Sequence, residues 1–171
     1  MSNSQASPAG TSLGSSLRKE LTALLDGGLA HATLAQAVKD FPVALHGVVP
    51  QGLPYSAWQI LEHLRIAQKD MLEYSDNADG SYKPMKWPAD YWPKEATPTS
   101  DTAWDESIGA ITADRKAFDD LLASASDDEL VAPFPWGSGQ PLLREALQVA
   151  DHHAYHVGEL IVVRRLLGAW K

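Results

Sequence analysis

The segment from Asp151 to His156 holds three of the six histidines in the chain. On an α-helix, His152 and His156 lie one turn apart on the same face, with Cβ atoms about 5–6 Å from each other. This separation lets two imidazole nitrogens reach one metal ion at about 2.0–2.1 Å each. His153 and His156, three residues apart, form a second and less favourable pair. The spacing indicates a metal site on one helix.

A histidine pair of this kind also occurs on a solvated helix face or at a helix end. A single histidine beside an apolar stripe, as His63 is, more often bonds a backbone group than a metal. Midway along an apolar helix, however, a buried imidazole needs a partner, because an unpaired buried polar group costs about 1–3 kcal/mol. From residue types alone, both interpretations stay open.

The composition limits the chemistry further. There is no cysteine among the 171 residues, which excludes disulfides, thiolate metal ligands and a cysteine nucleophile. Any metal ligands are therefore imidazole or oxygen groups. A net charge of -8 argues against a nucleic-acid partner. No apolar run has the length of a membrane span and residues 1–10 do not resemble a secretory signal, so we expect a cytoplasmic protein with no membrane partner.

Four long helices are predicted to position the histidines. The first runs from about Ser12 to Asp26, the second from Ser56 to about Ser75, the third from about Asp101 to Ala125, and the last from Pro141 to Leu167. Ser56 and Gln59 form a capping box at the start of the second. A short piece over 29–39 follows the first helix. The expected fold is all-α, an antiparallel four-helix bundle with long loops, as one domain over residues 12–171 after a disordered tail at 1–11.

The apolar stripe of the last helix consists of Leu142, Val149, His156 and Val163. His156 is therefore expected to point into the core, with His152 at the rim of the stripe. In the second helix, His63 lies about 60° from Ile60, at the edge of the apolar face. Metal sites in helical bundles are built from side chains on facing helices in this way.

Other residues receive weaker predictions. Glu159, three residues after His156, is the better candidate for a general base, whereas Glu62 is expected to face away from His63. The Pro-rich stretch 76–100 is predicted to be an ordered or functional loop. Three tryptophans are expected either at a pocket mouth or in the core, namely Trp58, Trp92 and Trp136. Four residues are interpreted as surface or loop residues, namely His31, His46, Arg65 and Arg164.

Two segments, residues 55–70 and 151–168, resemble the second-helix and last-helix signatures of the DinB/YfiT-like superfamily. Their separation also fits, and the resemblance covers nearly the whole chain after residue 12. It implies a four-helix bundle, often a homodimer, with one divalent metal ion on His63, His152 and His156. It implies that His153 is not a ligand. Many members have Gln where this chain has Glu159, so this carboxylate is expected either to support a ligand or to reach the metal.

The resemblance also suggests a function. Three imidazoles leave coordination positions for water or substrate, which is typical of catalytic sites. The family contains transferases and isomerases that depend on low-molecular-weight thiols, so we expect a thiol S-transferase or a hydrolase acting on a small molecule. A thiol would have to be a cosubstrate. A non-catalytic metal-binding or ligand-binding bundle is the alternative. Among the metals that imidazole suits, Zn²⁺ and Ni²⁺ are favoured.

Overall fold

The computed structural model describes residues 12–170, and this part of the chain is all-α. Its six α-helices are α1 (Leu13–Asp26), α2 (Leu34–Val38), α3 (Ala57–Ser75), α4 (Ala103–Ser124), α5 (Asp127–Val131) and α6 (Leu142–Leu166). No β-strand occurs between residues 12 and 170, and none of the helices described there combines the length and apolarity that crossing a bilayer requires. The all-α prediction is confirmed. The predicted tail at 1–11 lies outside the described residues.

The helix that carries His63 begins where the sequence predicts. Ser56 Oγ accepts a hydrogen bond from the Gln59 backbone N–H at 3.2 Å, and the Gln59 side chain accepts one from the Ser56 N–H at 3.1 Å. This capping box satisfies two of the free N–H groups at the helix start. The same two side chains donate to the carbonyls of Ala96 and Pro93 in the following loop. The start of α3 is thereby tied to the loop that precedes α4.

Two short helices differ from the prediction. The piece expected over 29–39 is helical only at Leu34–Val38, because Thr33 and Gln36 form a capping box that starts the helix late. No helix was predicted between α4 and α6, yet this stretch contains α5. Ser126 and Glu129 cap this helix in the same way. Its Ser-x-x-Glu signal is visible in the sequence.

The core has two parts along the length of α3 and α6. In one part, residues 57–64 of α3 pack with residues 157–163 of α6, together with Trp104 and Ile111 of α4. In the other, Ala67 and Met71 pack with residues 142–150 and with Phe118 of α4. The histidines of residues 151–156 therefore lie on α6 between the segments that build the two parts of the core.

Arg164 was predicted to be a surface residue, and this is wrong. It is only 6% exposed. Its guanidinium donates to the backbone carbonyls of Ala37 and Lys39 at 2.7 and 2.8 Å, and to that of Ala169 at 2.7 Å. A charged side chain can be buried when hydrogen-bond acceptors surround its polar atoms. Arg164 thus joins the end of α2 to the end of α6.

His46 was also interpreted as a surface or loop residue. It does follow a 3₁₀ turn, Val43–Leu45, but it is only 3% exposed. Its ring stacks on Trp104 with centroids 3.8 Å apart, and its Nε2–H donates to the Phe41 carbonyl at 3.1 Å. The apolar packing of Trp104 against the segment before α3 brings this histidine inside.

Candidate metal centre

His63 of α3 meets His152 and His156 of α6. One ring nitrogen from each of the three lies within 4.8 Å of the others. The Nε2 atoms of His63 and His152 are 3.0 Å apart, and the ring centroids of His63 and His156 are 4.6 Å apart. The three residues that the family resemblance implies as ligands are thus brought together, and His153 is not among them.

The orientation of His63 is set by the loop between α3 and α4. Its Nδ1–H donates to the backbone carbonyl of Tyr91 at 2.9 Å. A carbonyl only accepts, so in the neutral ring the Nε2 atom carries a lone pair. Trp92 stacks flat on the same imidazole, with centroids 3.9 Å apart and planes 5° apart. Tyr55 in turn stacks on Trp92 at 3.8 Å.

The loop itself is anchored on α3. Asp70, two turns beyond His63, accepts hydrogen bonds from the hydroxyls of Tyr91 and Tyr82 at 2.6 and 3.0 Å. Burial and the Asp70 carboxylate raise the pKa of Tyr82 to about 12, and they raise the pKa of Tyr91 as well, so both phenols remain donors. The prediction that residues 76–100 form an ordered loop agrees with these contacts.

His156 is oriented by a carboxylate on its own helix. Its Nδ1 lies 2.6 Å from Glu159 Oε2, one turn along α6. A carboxylate accepts the Nδ1 proton, which leaves the lone pair on Nε2, the nitrogen opposite. This is the carboxylate–histidine arrangement that fixes the tautomer of metal-binding imidazoles. In this geometry Glu159 supports His156.

Burial keeps these imidazoles neutral. Loss of hydration lowers the pKa of His152 to about 3, helped by the neighbouring rings of His156 and His63. It lowers the pKa of His156 to about 4, again with a contribution from His63. The pKa of His63 is lowered for the same reason, against the opposing effects of the Tyr91 carbonyl and Glu159. Neutral imidazole is the form that binds metal.

A divalent ion fits this donor set. The lone pairs of His63 and His156 are fixed by their Nδ1 partners, and two Nε2 atoms at 3.0 Å need either a proton or a cation between them. His152 Nδ1 is buried and finds no hydrogen-bond partner anywhere in residues 12–170. Three neutral nitrogen donors and no thiolate form an imidazole site of the kind that Zn²⁺ and Ni²⁺ accept.

A cavity of about 740 Å³ opens beside the three histidines. Its walls are mostly aromatic and comprise Tyr55, Trp87, Trp92 and Tyr155, with Pro88 and Ala89 beside them. The volume is within the range of small-molecule sites, about 300–1,000 Å³. The three histidines therefore form a polar group that could hold a metal ion at one end of a mainly apolar pocket.

The other residues for which the sequence predicted a role lie in different parts of the structure. Of the three tryptophans, Trp92 lines the cavity as expected. Trp58 belongs to the core, which was the alternative expected for it. Trp136 stacks on Phe134 away from the histidines and is 36% exposed, so neither expectation holds for it. Glu62 does face away, because its carboxylate binds Arg65 and the Ser107 hydroxyl.

Four aromatic residues of the site were missed, and Tyr55 is one of them, because it lines the cavity. Trp87 and Tyr155 line the cavity, and the Tyr91 carbonyl orients His63. A helical wheel places Tyr155 about 60° from His152, on the same side of α6, and could have indicated it. For Trp87 and Tyr91 no local pattern exists, because their positions depend on how a 27-residue connection folds back onto α3.

The chain was compared with known proteins. A family model described as the DinB superfamily matches residues 29–160, which include all three histidines and Glu159. Searches of curated proteins and of solved structures gave no significant match. The family match covers most of the chain and agrees with the all-α fold and the histidine cluster. This chain belongs to the DinB superfamily.

Proposed function

We propose that this protein holds one divalent metal ion through His63, His152 and His156 and uses it as an enzyme on a small molecule. The observation that carries the proposal is the convergence of three neutral imidazoles, two of them fixed by Nδ1 acceptors, at the end of an aromatic cavity. We also propose that the four long helices form the antiparallel four-helix bundle. The packing of early α3 residues on late α6 residues supports it.

When bound, the metal would supply Lewis acidity, which polarises a substrate or activates a water or thiol at neutral pH. The residues of the chain would do the rest. His63, His152 and His156 hold the ion, while Trp87, Trp92 and Tyr155 receive the apolar part of the substrate. A small-molecule substrate, with Zn²⁺ or Ni²⁺ as the first metals to test, fits this division.

Glu159 is our candidate for the general base. Its side chain is 37% exposed, and loss of hydration raises the pKa of its carboxyl, against smaller opposing effects of Tyr155 and His63. A raised pKa brings a carboxylate nearer to the range useful for proton transfer at neutral pH. A thiol S-transferase, with the thiol supplied as a cosubstrate, and a hydrolase are the two reactions we propose.

A non-catalytic metal-binding or ligand-binding protein is the second candidate. One observation favours it: Glu159 is already engaged with His156 at 2.6 Å, and the metal-compatible group found in residues 12–170 contains only histidines. If Glu159 serves only to orient His156, the centre lacks a base of its own.

Metal content tests the site. The full chain, purified without a His-tag column, should carry about one equivalent of metal, and His63→Ala and His156→Ala should each lose most of it. His31→Ala, at an exposed histidine outside the cluster, is the matched control and should keep it. Full metal content in both cluster variants would refute the site.

Turnover tests the enzyme proposal. The Zn²⁺-loaded and Ni²⁺-loaded proteins are assayed with a panel of cellular thiols paired with electrophiles, and with small ester and amide substrates. Metal-dependent turnover that His156→Ala abolishes supports an enzyme. A loaded protein that turns over none of them and that no thiol stabilises against heat supports the non-catalytic alternative.

A further inference from the structure

A second cavity, of about 360 Å³, lies among α1, α3, α4 and α6 and the connection from α1 to α2. It shares no lining residue with the aromatic cavity beside the three histidines. His153 faces it, about 100° around α6 from His152. The histidine that takes no part in the metal cluster therefore belongs to a different pocket.

The first informative group in this cavity is the amide of Gln68, which is fully buried on α3. Its Nε2 donates to the backbone carbonyl of Ile111 at 2.7 Å. Because a carbonyl only accepts, the amide cannot be flipped, and Oε1 is the atom left over. This oxygen is buried and has no hydrogen-bond partner among the residues that the structure describes. Such a group is costly to leave unpaired, so it indicates a missing donor.

Two further polar atoms are in the same condition. His153 Nε2 and Arg115 Nε are buried, and neither has a hydrogen-bond partner within residues 12–170. Both side chains line the cavity. Three unpaired polar atoms on residues that line one mainly apolar pocket match the usual layout of a small-molecule site, and the lining also holds Asp26, His31, Thr33 and Thr112.

The charges at the cavity argue against an anionic ligand. The Arg115 guanidinium lies 3.1 Å from the Asp26 carboxylate and 2.7 Å from that of Asp119, so its positive charge is already compensated. Most of the remaining wall is apolar and includes Leu25, Leu34, Ile108, Ile111 and Val157. A neutral ligand matches these walls better than a charged one.

We infer that this cavity is a second binding site, for a small, neutral and mainly apolar molecule with a hydroxyl or N–H group that donates to Gln68 Oε1. The apolar body of the ligand contacts the leucine, isoleucine and valine walls. The donor group satisfies the amide oxygen, and an oxygen on the ligand can accept from Arg115 Nε. This site is independent of the metal and of the proposed enzyme activity.

Phenol and anisole form a matched pair of probes, because they share a ring and an oxygen but only phenol has an O–H donor. Binding to the full chain is followed by protein NMR, with the Gln68 side-chain amide as the direct reporter. We expect saturable shifts at this amide with phenol and about tenfold weaker binding of anisole. Equal affinities, or no saturable shift with phenol, would overturn the inference.

Two variants locate the site. Gln68→Leu removes both the acceptor and its reporter amide, so binding to this variant is followed at the backbone amides of Ile111 and Val157, which line the cavity. Phenol affinity should fall to the level of anisole, while the binding of anisole stays unchanged. Trp87→Ala alters only the aromatic cavity and should leave phenol affinity unchanged. Phenol affinity that falls in Trp87→Ala but not in Gln68→Leu assigns the probe to the other cavity and refutes the proposal.

Gln68 is in the core, so Gln68→Leu could fail to fold. A third variant tests the site in that case. Ile108→Phe, at a partly buried position on α4, fills the cavity from its wall and should abolish binding of both probes. Well-dispersed amide spectra confirm that each variant is folded. Phenol binding that survives in a folded Ile108→Phe protein contradicts the site.

Discussion

The imidazole of His63 lies flat against the indole of Trp92, with ring centroids 3.9 Å apart and planes inclined by only 5°. The next residue back, Tyr91, accepts the Nδ1 proton of the same ring. Two consecutive loop residues therefore set both the plane and the tautomer of a histidine on α3. Groups that orient a metal ligand in this way influence metal affinity without touching the metal.

Removing the stacked indole should weaken metal binding. We expect Trp92→Ala to lower Zn²⁺ affinity about tenfold, because His63 then samples other ring orientations. Competition with a chromophoric chelator measures the dissociation constant. Trp136→Ala, which removes an indole far from the histidines, should leave the affinity unchanged. Equal affinities of the wild type and Trp92→Ala would show that the stacking has no orienting role.

The Glu159 carboxylate, which contacts His156, should affect metal affinity more strongly than the Trp92 indole does. Glu159→Ala removes the acceptor 2.6 Å from His156 Nδ1 and should lower metal affinity by about 10- to 100-fold. Glu159→Gln keeps an acceptor oxygen, so we expect a smaller loss. Glu73→Ala, at a carboxylate paired with Lys69 on the surface of α3, is the control. The same affinity in Glu159→Ala and Glu73→Ala would rule out a supporting role for Glu159.

Bound metal should stabilise the folded protein, and the stabilisation should increase with the ratio of free metal concentration to the dissociation constant. At a free metal concentration of 100 times the dissociation constant, the free energy of unfolding rises by about 2.7 kcal/mol. For a chain of this size the midpoint of thermal unfolding then rises by roughly 5–10 °C. Calorimetry with and without Zn²⁺ measures the shift. His152→Ala should lose it, and a shift of the same size in that variant would argue for binding elsewhere.

Arg164 should be the most sensitive charged residue outside the site. Arg164→Met leaves the carbonyls of Ala37, Lys39 and Ala169 without their shared donor, so we expect a loss of about 2–4 kcal/mol in the free energy of unfolding. Urea unfolding measures it. Arg165→Met, at the exposed neighbour, should change stability by less than about 0.5 kcal/mol. Similar losses in both variants would contradict the assigned contacts.

Buried His46 should make stability depend on pH. Burial lowers the pKa of His46, against the weaker opposing effects of the Phe41 carbonyl and Asp105. The unfolded chain therefore takes up a proton at a higher pH than the folded protein. The contribution of neutral His46 to the free energy of unfolding is complete above about pH 6.5. It is lost as the pH falls toward the lower pKa that His46 has in the folded protein. Urea unfolding of the metal-free protein at pH 7.5, 6.5 and 5.5 should show less pH dependence in His46→Gln, and equal slopes would contradict this.

Local rules were sufficient for much of the fold. The capping box of Ser56 and Gln59, the end of α1 at Asp26 and the all-α class depend on residues a few positions apart, and these could be predicted. The same holds for the face shared by His152 and His156, which follows from helical spacing. The choice of His63 as their partner came from family resemblance, because nothing local connects residues 89 positions apart.

The wrong predictions for Arg164 and His46 have a common cause. Arg164 and His46 are polar residues that usually lie on the surface, and each is buried by partners that a local pattern cannot reveal. For Arg164 the acceptors on Ala37 and Lys39 are 127 and 125 positions away. The Ser126–Glu129 signal of α5 is an exception, because it is local and could have been recognised.

The three histidines lie on α3 and α6, whereas Trp87 and Trp92, which line the cavity beside them, lie on the loop between α3 and α4. The three histidines and two aromatic walls of their cavity are therefore encoded in different stretches of the gene. Exchanging residues 84–89, which include Trp87, Pro88 and Ala89, would change the cavity wall and keep the contacts by which Tyr82, Tyr91 and Trp92 hold the loop and orient His63. Under the proposed function, replacement of this part of the loop would change which small molecules the site accepts.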